Sequence, residues 1–283
     1  MIEERVLDSP GDLLDAGLAC RNTFGVQPWY RGQDRAEWLL RPKVARPEVV
    51  PRKDRVKYES GVARRFMRGA RTRHQTCPGP TEFPAWLFLM QHYGLPTRLL
   101  DWSESLLTAS FFAVFNHREH EHSGCVWVLN PGRLNQESID HPGLATIHDA
   151  VGDLAMQLPF LGNEHAELKP AIQEVAEKID RGVVALEPDE VDVRMLVQQS
   201  MFTVHGSNAA PDESSFPEES LLKLIIPAER KGLFAHALAS AGVRLSSVFP
   251  DLDHLAEELR DNTFIVCPPK ERGSTAADEE GHE

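Results

Sequence analysis

The segment Gln91-His92-Tyr93-Gly94-Leu95-Pro96-Thr97-Arg98-Leu99-Leu100-Asp101-Trp102-Ser103 sets an imidazole, a guanidinium and a carboxylate within ten residues. Almost uncharged segments flank it, Phe83 to Met90 upstream and Leu106 to Phe115 downstream. Both carry apolar residues around most of a helical circumference, and such helices lie inside a protein. Charges at the junction of two buried helices must be paired, hydrogen-bonded or turned to a cleft, because an unpaired buried charge is very costly.

Working outward, residues 8 to 23 read as a helix, with Ser9 or Asp8 as cap and Pro10 in its first turn. A short strand ends at Trp29-Tyr30-Arg31-Gly32, and Trp38 to Pro42 reads as a second. Asp54 to about Thr76 has helical periodicity, with Arg64, Arg65, Arg68, Arg71 and Arg73 on its polar side. Thr81-Glu82 opens a buried helix that Gly94 closes; Leu95 to Trp102 is extended or looped. Asp101 or Ser103 caps the next helix, Glu104 to about Phe115. Gly124 to Asn130 is a clear strand. Residues 131 to 190 read poorly, apart from a strand at Val183 to Leu186. Further strands follow at 198–206 and Leu221 to Ile226, then helices at Ala228–Ala241 and Asp251–Arg260. A last short strand is expected at Phe264 to Cys267. The expectation is α+β: a single mixed domain, residues 1–270, with a small central sheet flanked by buried helices, and a disordered acidic tail over 271–283.

Of the 283 residues, 41% are hydrophobic, enough for a full core, and the net charge is −13. Such a balance makes nucleic acid an improbable partner. The Arg-rich 64–73 face is either solvated or a dock for an acidic or phosphorylated protein partner. Four scattered cysteines form no zinc-ligand pattern. His117, His120 and His122 with Glu119 and Glu121 have a metal-tract composition but no partner ligands at suitable spacing, so no metal is expected. No apolar run is long enough for a membrane span, and Met1-Ile2-Glu3-Glu4 is no signal peptide, so a cytoplasmic setting is expected. Walker loop, dinucleotide fingerprint and G-x-S-x-G turn are all missing, which removes ATPase, Rossmann dehydrogenase and serine hydrolase readings.

Each candidate residue has two readings. Arg31 beside Gly32 at a strand tip is an anion clamp or a structural ion pair. Arg98 and Asp101 pair with each other, or Arg98 meets a phosphate while Asp101 orients His92 or a ribose hydroxyl. His92 is a satisfied core histidine or a general base. Gln199 and His205 beside Phe202 hold a base or nicotinamide, or are buried structural groups.

Four stretches together resemble the FRG domain family: Trp29-Tyr30-Arg31-Gly32-Gln33; Gln91 to Trp102 with Ala109 to Ala113; Gln199, Phe202, Thr203 and His205-Gly206; and Gly242-Val243 with Phe249 to Asp253. The resemblance spans roughly residues 7 to 262. It implies an effector that binds a nucleotide-type small molecule, in a setting of bacterial or phage defence or toxicity. A looser similarity is to the ADP-ribosyltransferase site, whose first element is an aromatic-Arg-Gly strand. There Arg31 matches the first element and Ser103 or Ser110 the second, while the third, near Gln198-Gln199, lacks the catalytic Glu. That similarity implies NAD as substrate in a cleft of Arg31, His92, Arg98, Asp101 and Gln199. Arg31 and Arg98 would hold the pyrophosphate, and Tyr30, Gly32, Trp102, Ser103 and Phe202 would complete the binding site. Either Asp101 substitutes for the missing acid, or the chain is a non-catalytic recognition module.

Overall fold

The computed structural model describes residues 2–50, 55–74, 76–116, 121–161, 170–190, 192–210 and 212–260. Strands are β1 (Glu3–Val6), β2 (Trp29–Gln33), β3 (Leu99–Ser103), β4 (Gly124–Leu129), β5 (Ala145–Thr146), β6 (Val183–Glu187), β7 (Ser200–His205) and β8 (Leu221–Ile226). Helices are α1 (Pro10–Phe24), α2 (Arg55–Ala70), α3 (Phe83–His92), α4 (Leu106–Ala113), α5 (Pro131–Ile139), α6 (Ala150–Leu161), α7 (Pro170–Arg181), α8 (Val193–Gln198), α9 (Lys231–Ser240), α10 (Leu245–Val248) and α11 (Leu252–Arg260). The eight strands form one mixed sheet in the order β1-β8-β4-β2-β3-β7-β6-β5. The outer pairs β1–β8 and β5–β6 are parallel, and the inner ones antiparallel. An α+β domain is therefore what the chain forms.

Local signals act where physics places them. Ser9 caps α1 and exchanges a reciprocal hydrogen bond with Asp12, while Gly25 closes the helix at φ 68°. Every residue of Gly-Cys-Val-Trp-Val-Leu in β4 is buried, as a central strand covered on both faces requires.

One face of the sheet carries two apolar cores. The first packs α1, α4 and α9 on β2, β4 and β8 through Leu13, Tyr30, Ala109, Val126, Leu224 and Phe234. The second packs α3, α6 and α7 on β3, β6 and β7 through Phe88, Leu99, Met156, Ile179, Val184 and Phe202. On the opposite face Trp29, Leu100, Trp102 and Trp127 are covered by Leu40, Leu134 and Phe216. Helix α4 lies so close to the sheet that glycine is required beneath it. A β-carbon at Gly32 would sit 1.8 Å from the Ala109 carbonyl oxygen, and one at Gly124 2.0 Å from that of Ala113.

Several local expectations differ from the structure. Trp38 to Pro42 forms no strand: Leu40 and Pro42 are buried, and the Leu40 N–H donates to the Glu213 carboxylate (3.2 Å) rather than to a ladder. Leu99 to Ser103, read as extended or looped, is a strand paired along its whole length with β7. Helix α4 begins later than expected and is capped by Ser105, whose hydroxyl accepts from the Thr108 N–H. Strand β1, Glu-Glu-Arg-Val, has no apolar alternation and forms only because β8 offers it a backbone edge. The strand expected at 264–267, the tail at 271–283 and the histidines at 117 and 120 lie outside the described residues.

Candidate functional site

The site begins where the sheet is weakest. Strand β2 pairs with β4 over five residues, and β3 with β7 over five, but β2 and β3 meet at one pair, Tyr30 with Ser103. The strands then part at the boundary between the two cores. Arg31 fills the opening: its Nη1 donates to the Asp101 carbonyl at 2.6 Å and lies 3.7 Å from the Asp101 carboxylate. A guanidinium thus supplies the donor that a continued ladder would have supplied. Burial lowers the Arg31 pKa from its usual value, with Asp101 opposing the shift. Arg31 remains a cation, and its Nε finds no acceptor among the described residues.

Asp101 is the reachable partner, with its side chain 55% exposed. Gln91 holds it: the amide nitrogen donates to both carboxylate oxygens at 3.1 and 3.2 Å, and the amide oxygen accepts from the Thr97 hydroxyl. Gln91, on the last turn of α3, therefore orients an acid on β3.

These groups line a cavity of about 290 Å³. Phe88 and Phe202 form an apolar wall, their rings 5.0 Å apart, and Phe112 of α4 lines the cavity too. At one end His92 Nδ1 lies 3.1 Å from Asp192, which also caps α8 by accepting from the Met195 N–H. Arg194 of α8 brings a second guanidinium to the cavity, with its cation 4.7 Å from the Phe249 ring centroid. Tyr30 lines it too, and burial pushes its phenol up to about 12, so it stays protonated. A second cavity of about 520 Å³ adjoins the first, sharing Arg31, Gly32 and Phe112.

Arg31, Asp101, His92, Tyr30, Gly32, Ser103 and Phe202 therefore converge on one hollow. The structure places other candidates differently. Arg98 lies outside this cavity and does not pair with Asp101. It is buried against Glu59, with Nε–Oε1 2.9 Å and Nη2–Oε2 2.7 Å, and Nη2 also donates to Ser207. Three-residue spacing along a strand sends Arg98 and Asp101 to opposite faces, so their proximity in sequence does not become a contact. Trp102 edges the cavity, but its indole N–H donates to Thr203 and its ring packs against Phe216 behind the sheet, so it offers no stacking surface. Ser103 donates to the Gln198 carbonyl (2.6 Å) and accepts from the Ser105 N–H. Ser110 is buried and bonds back to Leu106 within α4.

Gln199 is exposed and lies outside the cavity; Gln198 and Ser200 line it instead. Gln199 ends α8 in the left-handed region at φ 48°, which breaks the alternation a continuous strand over 198–206 would have. Sequence reasoning also missed Asp192 and Arg194. Their only local signal is an Asp at a helix N-cap position with an Arg two residues on.

His205 lies behind the sheet, buried. Burial, reinforced by Arg55, Arg98 and Arg31, pushes its pKa down to about 3. The folded state stays neutral there while the unfolded chain takes up a proton below about pH 6.5. Stability contributed by the neutral imidazole is therefore lost as pH falls from about 6.5 toward 3, at up to about 1.4 kcal/mol per pH unit. Urea unfolding at pH 6.5 and pH 5 should show a His205→Gln variant losing about 2 kcal/mol less than the parent over that interval. An equal loss in both would show that His205 is not the group responsible.

Among the described residues no helix is long and apolar enough to cross a membrane, and no three His, Cys, Asp or Glu residues are grouped to hold a metal ion. Residues 27–122, from just before β2 to just before β4, match the family model of the FRG domain. No curated protein and no solved structure matches the chain.

Proposed function

From the premise of an FRG domain at residues 27–122, we propose that the chain is a cytoplasmic, ADP-ribosyltransferase-like enzyme. In this reading it binds NAD where β2 and β3 part, and cleaves the nicotinamide–ribose bond. ADP-ribose passes to an acceptor or to water. The observation that carries this reading is the Arg31–Asp101 pair, an exposed carboxylate held beside a cavity-lining cation by Gln91. Asp101 takes the part of the acid missing near Gln198-Gln199: its negative charge faces the ribose, where positive charge grows as the bond to nicotinamide breaks. Arg31 and Arg194 hold the phosphates; Arg194 replaces Arg98 in that task because Arg98 is spent on Glu59. Phe88 and Phe202 give a ring its apolar surface. A dinucleotide extends from the smaller cavity past Arg31 into the larger one.

A specific observation favours a second reading, recognition without turnover. Both cavity aspartates already face a protein group, Asp101 with Arg31 and Asp192 with His92. Nicotinamide release by purified protein, alone and with cell lysate, decides between the two. Under the enzyme reading, Asp101→Asn lowers turnover by about 10²–10³, and Arg31→Ala abolishes binding. NAD binding without release selects the recognition module. Neither binding nor release removes NAD as the ligand.

A further inference from the structure

A groove runs between α2 and α3, away from the residues of α3 that line the cavity. Val62, Phe66, Leu89, Tyr93 and Leu95 line an apolar hollow of about 490 Å³, rimmed by Arg65 and Arg73. Tyr93 is 58% exposed and its ring neighbours those of Phe66 and His74. The rim continues into a cationic face. Arg64, Arg65, Arg68, Arg71 and Arg73 are all exposed, and among the described residues no carboxylate pairs with any of them. Arg64 and Arg68, and Arg65 and Arg68, are neighbours at helical spacing and repel. In a chain of net charge −13 this repulsion goes uncompensated among the described residues, although carboxylates are the commonest charges of the sequence.

We propose that this surface docks an acidic segment of a partner protein, with an aromatic or large aliphatic side chain seated in the α2–α3 hollow and its carboxylates on the arginines. Charge complementarity selects the acid, and the apolar floor selects a side-chain anchor, which a nucleic-acid backbone lacks. A membrane is disfavoured because Tyr93 is the one large hydrophobic residue exposed on the groove lining, too little for insertion. The inference does not depend on what the cavity behind α3 binds.

The test is selection from a random peptide display library on the full chain, in parallel with an Arg65→Glu/Arg73→Glu variant. Both positions are exposed, so the variant should fold, as circular dichroism will check; Arg65→Gln/Arg73→Gln serves as the milder control. Recovered peptides should combine Asp or Glu with an apolar anchor and weaken as salt rises. They should also lose affinity by about tenfold or more on the charge-reversed variant. The proposal is overturned if no peptide is enriched, if the enriched peptides lack acids, or if charge reversal leaves their binding unchanged. Tighter binding to phosphatidylserine vesicles or duplex DNA than to the selected peptides overturns it too.

Discussion

Arg98→Met is expected to lower the free energy of unfolding by about 3–5 kcal/mol, because it leaves Glu59 as an unpaired carboxylate in the interior. Glu59 and Arg98 are both buried, joined by two hydrogen bonds, with Ser207 on the guanidinium's flank. Removing the cation takes away the pairing but not the cost of holding the anion out of water. Replacing both residues, Glu59→Leu with Arg98→Met, should recover most of the loss, since a well-packed apolar pair is often as stable as a buried ion pair. Urea unfolding of the two single variants and the double variant measures the effect directly. A loss below about 1 kcal/mol for Arg98→Met, in the range of an exposed pair, would mean that the pair is not sealed as described. The folded fraction of the double variant should bind ligand in the cavity as the parent does, because Arg98 is not among its lining residues.

Gly32→Ala is expected to cost about 3 kcal/mol or more, beyond the usual range for overpacking, although it adds a single methyl group. The obstacle is backbone: the new β-carbon falls 1.8 Å from the Ala109 carbonyl oxygen and 2.8 Å from the Ala113 nitrogen. No rotamer change relieves such a clash, so α4 must lift from β2. The contrast is Gly232, which has open space around its α-carbon, so that alanine there should be tolerated. Thermal unfolding of the two variants, compared side by side, checks this. A tolerated Gly32→Ala would show that α4 rides higher on the sheet than the structure places it.

Much of the architecture was legible because its signals are local. Ser9 and Gly25 mark the ends of α1, Gly94 stops α3, and the apolar run of β4 admits no surface position. That Arg31 and Asp101 would reach a cavity was legible because a charge inside apolar sequence must be resolved somehow. What was not legible depends on pairing at a distance. The partner of Arg98 is 39 residues upstream on α2, in a helix whose arginines at 64, 65 and 68 are exposed. Gln198, not Gln199, meets the cavity because one left-handed residue shifts the register, and no periodicity argument anticipates that. Strand β1 owes its existence to an edge formed by residues more than two hundred positions away.

The single pair between β2 and β3 makes the sheet two four-stranded leaves stitched at one point, with a guanidinium as the second stitch. A bound anion that draws Arg31 toward itself competes with the Asp101 carbonyl for the same N–H. Occupancy and the mechanical unity of the two leaves therefore trade against each other, and amides flanking the seam should exchange with solvent at a rate that reports how full the hollow is.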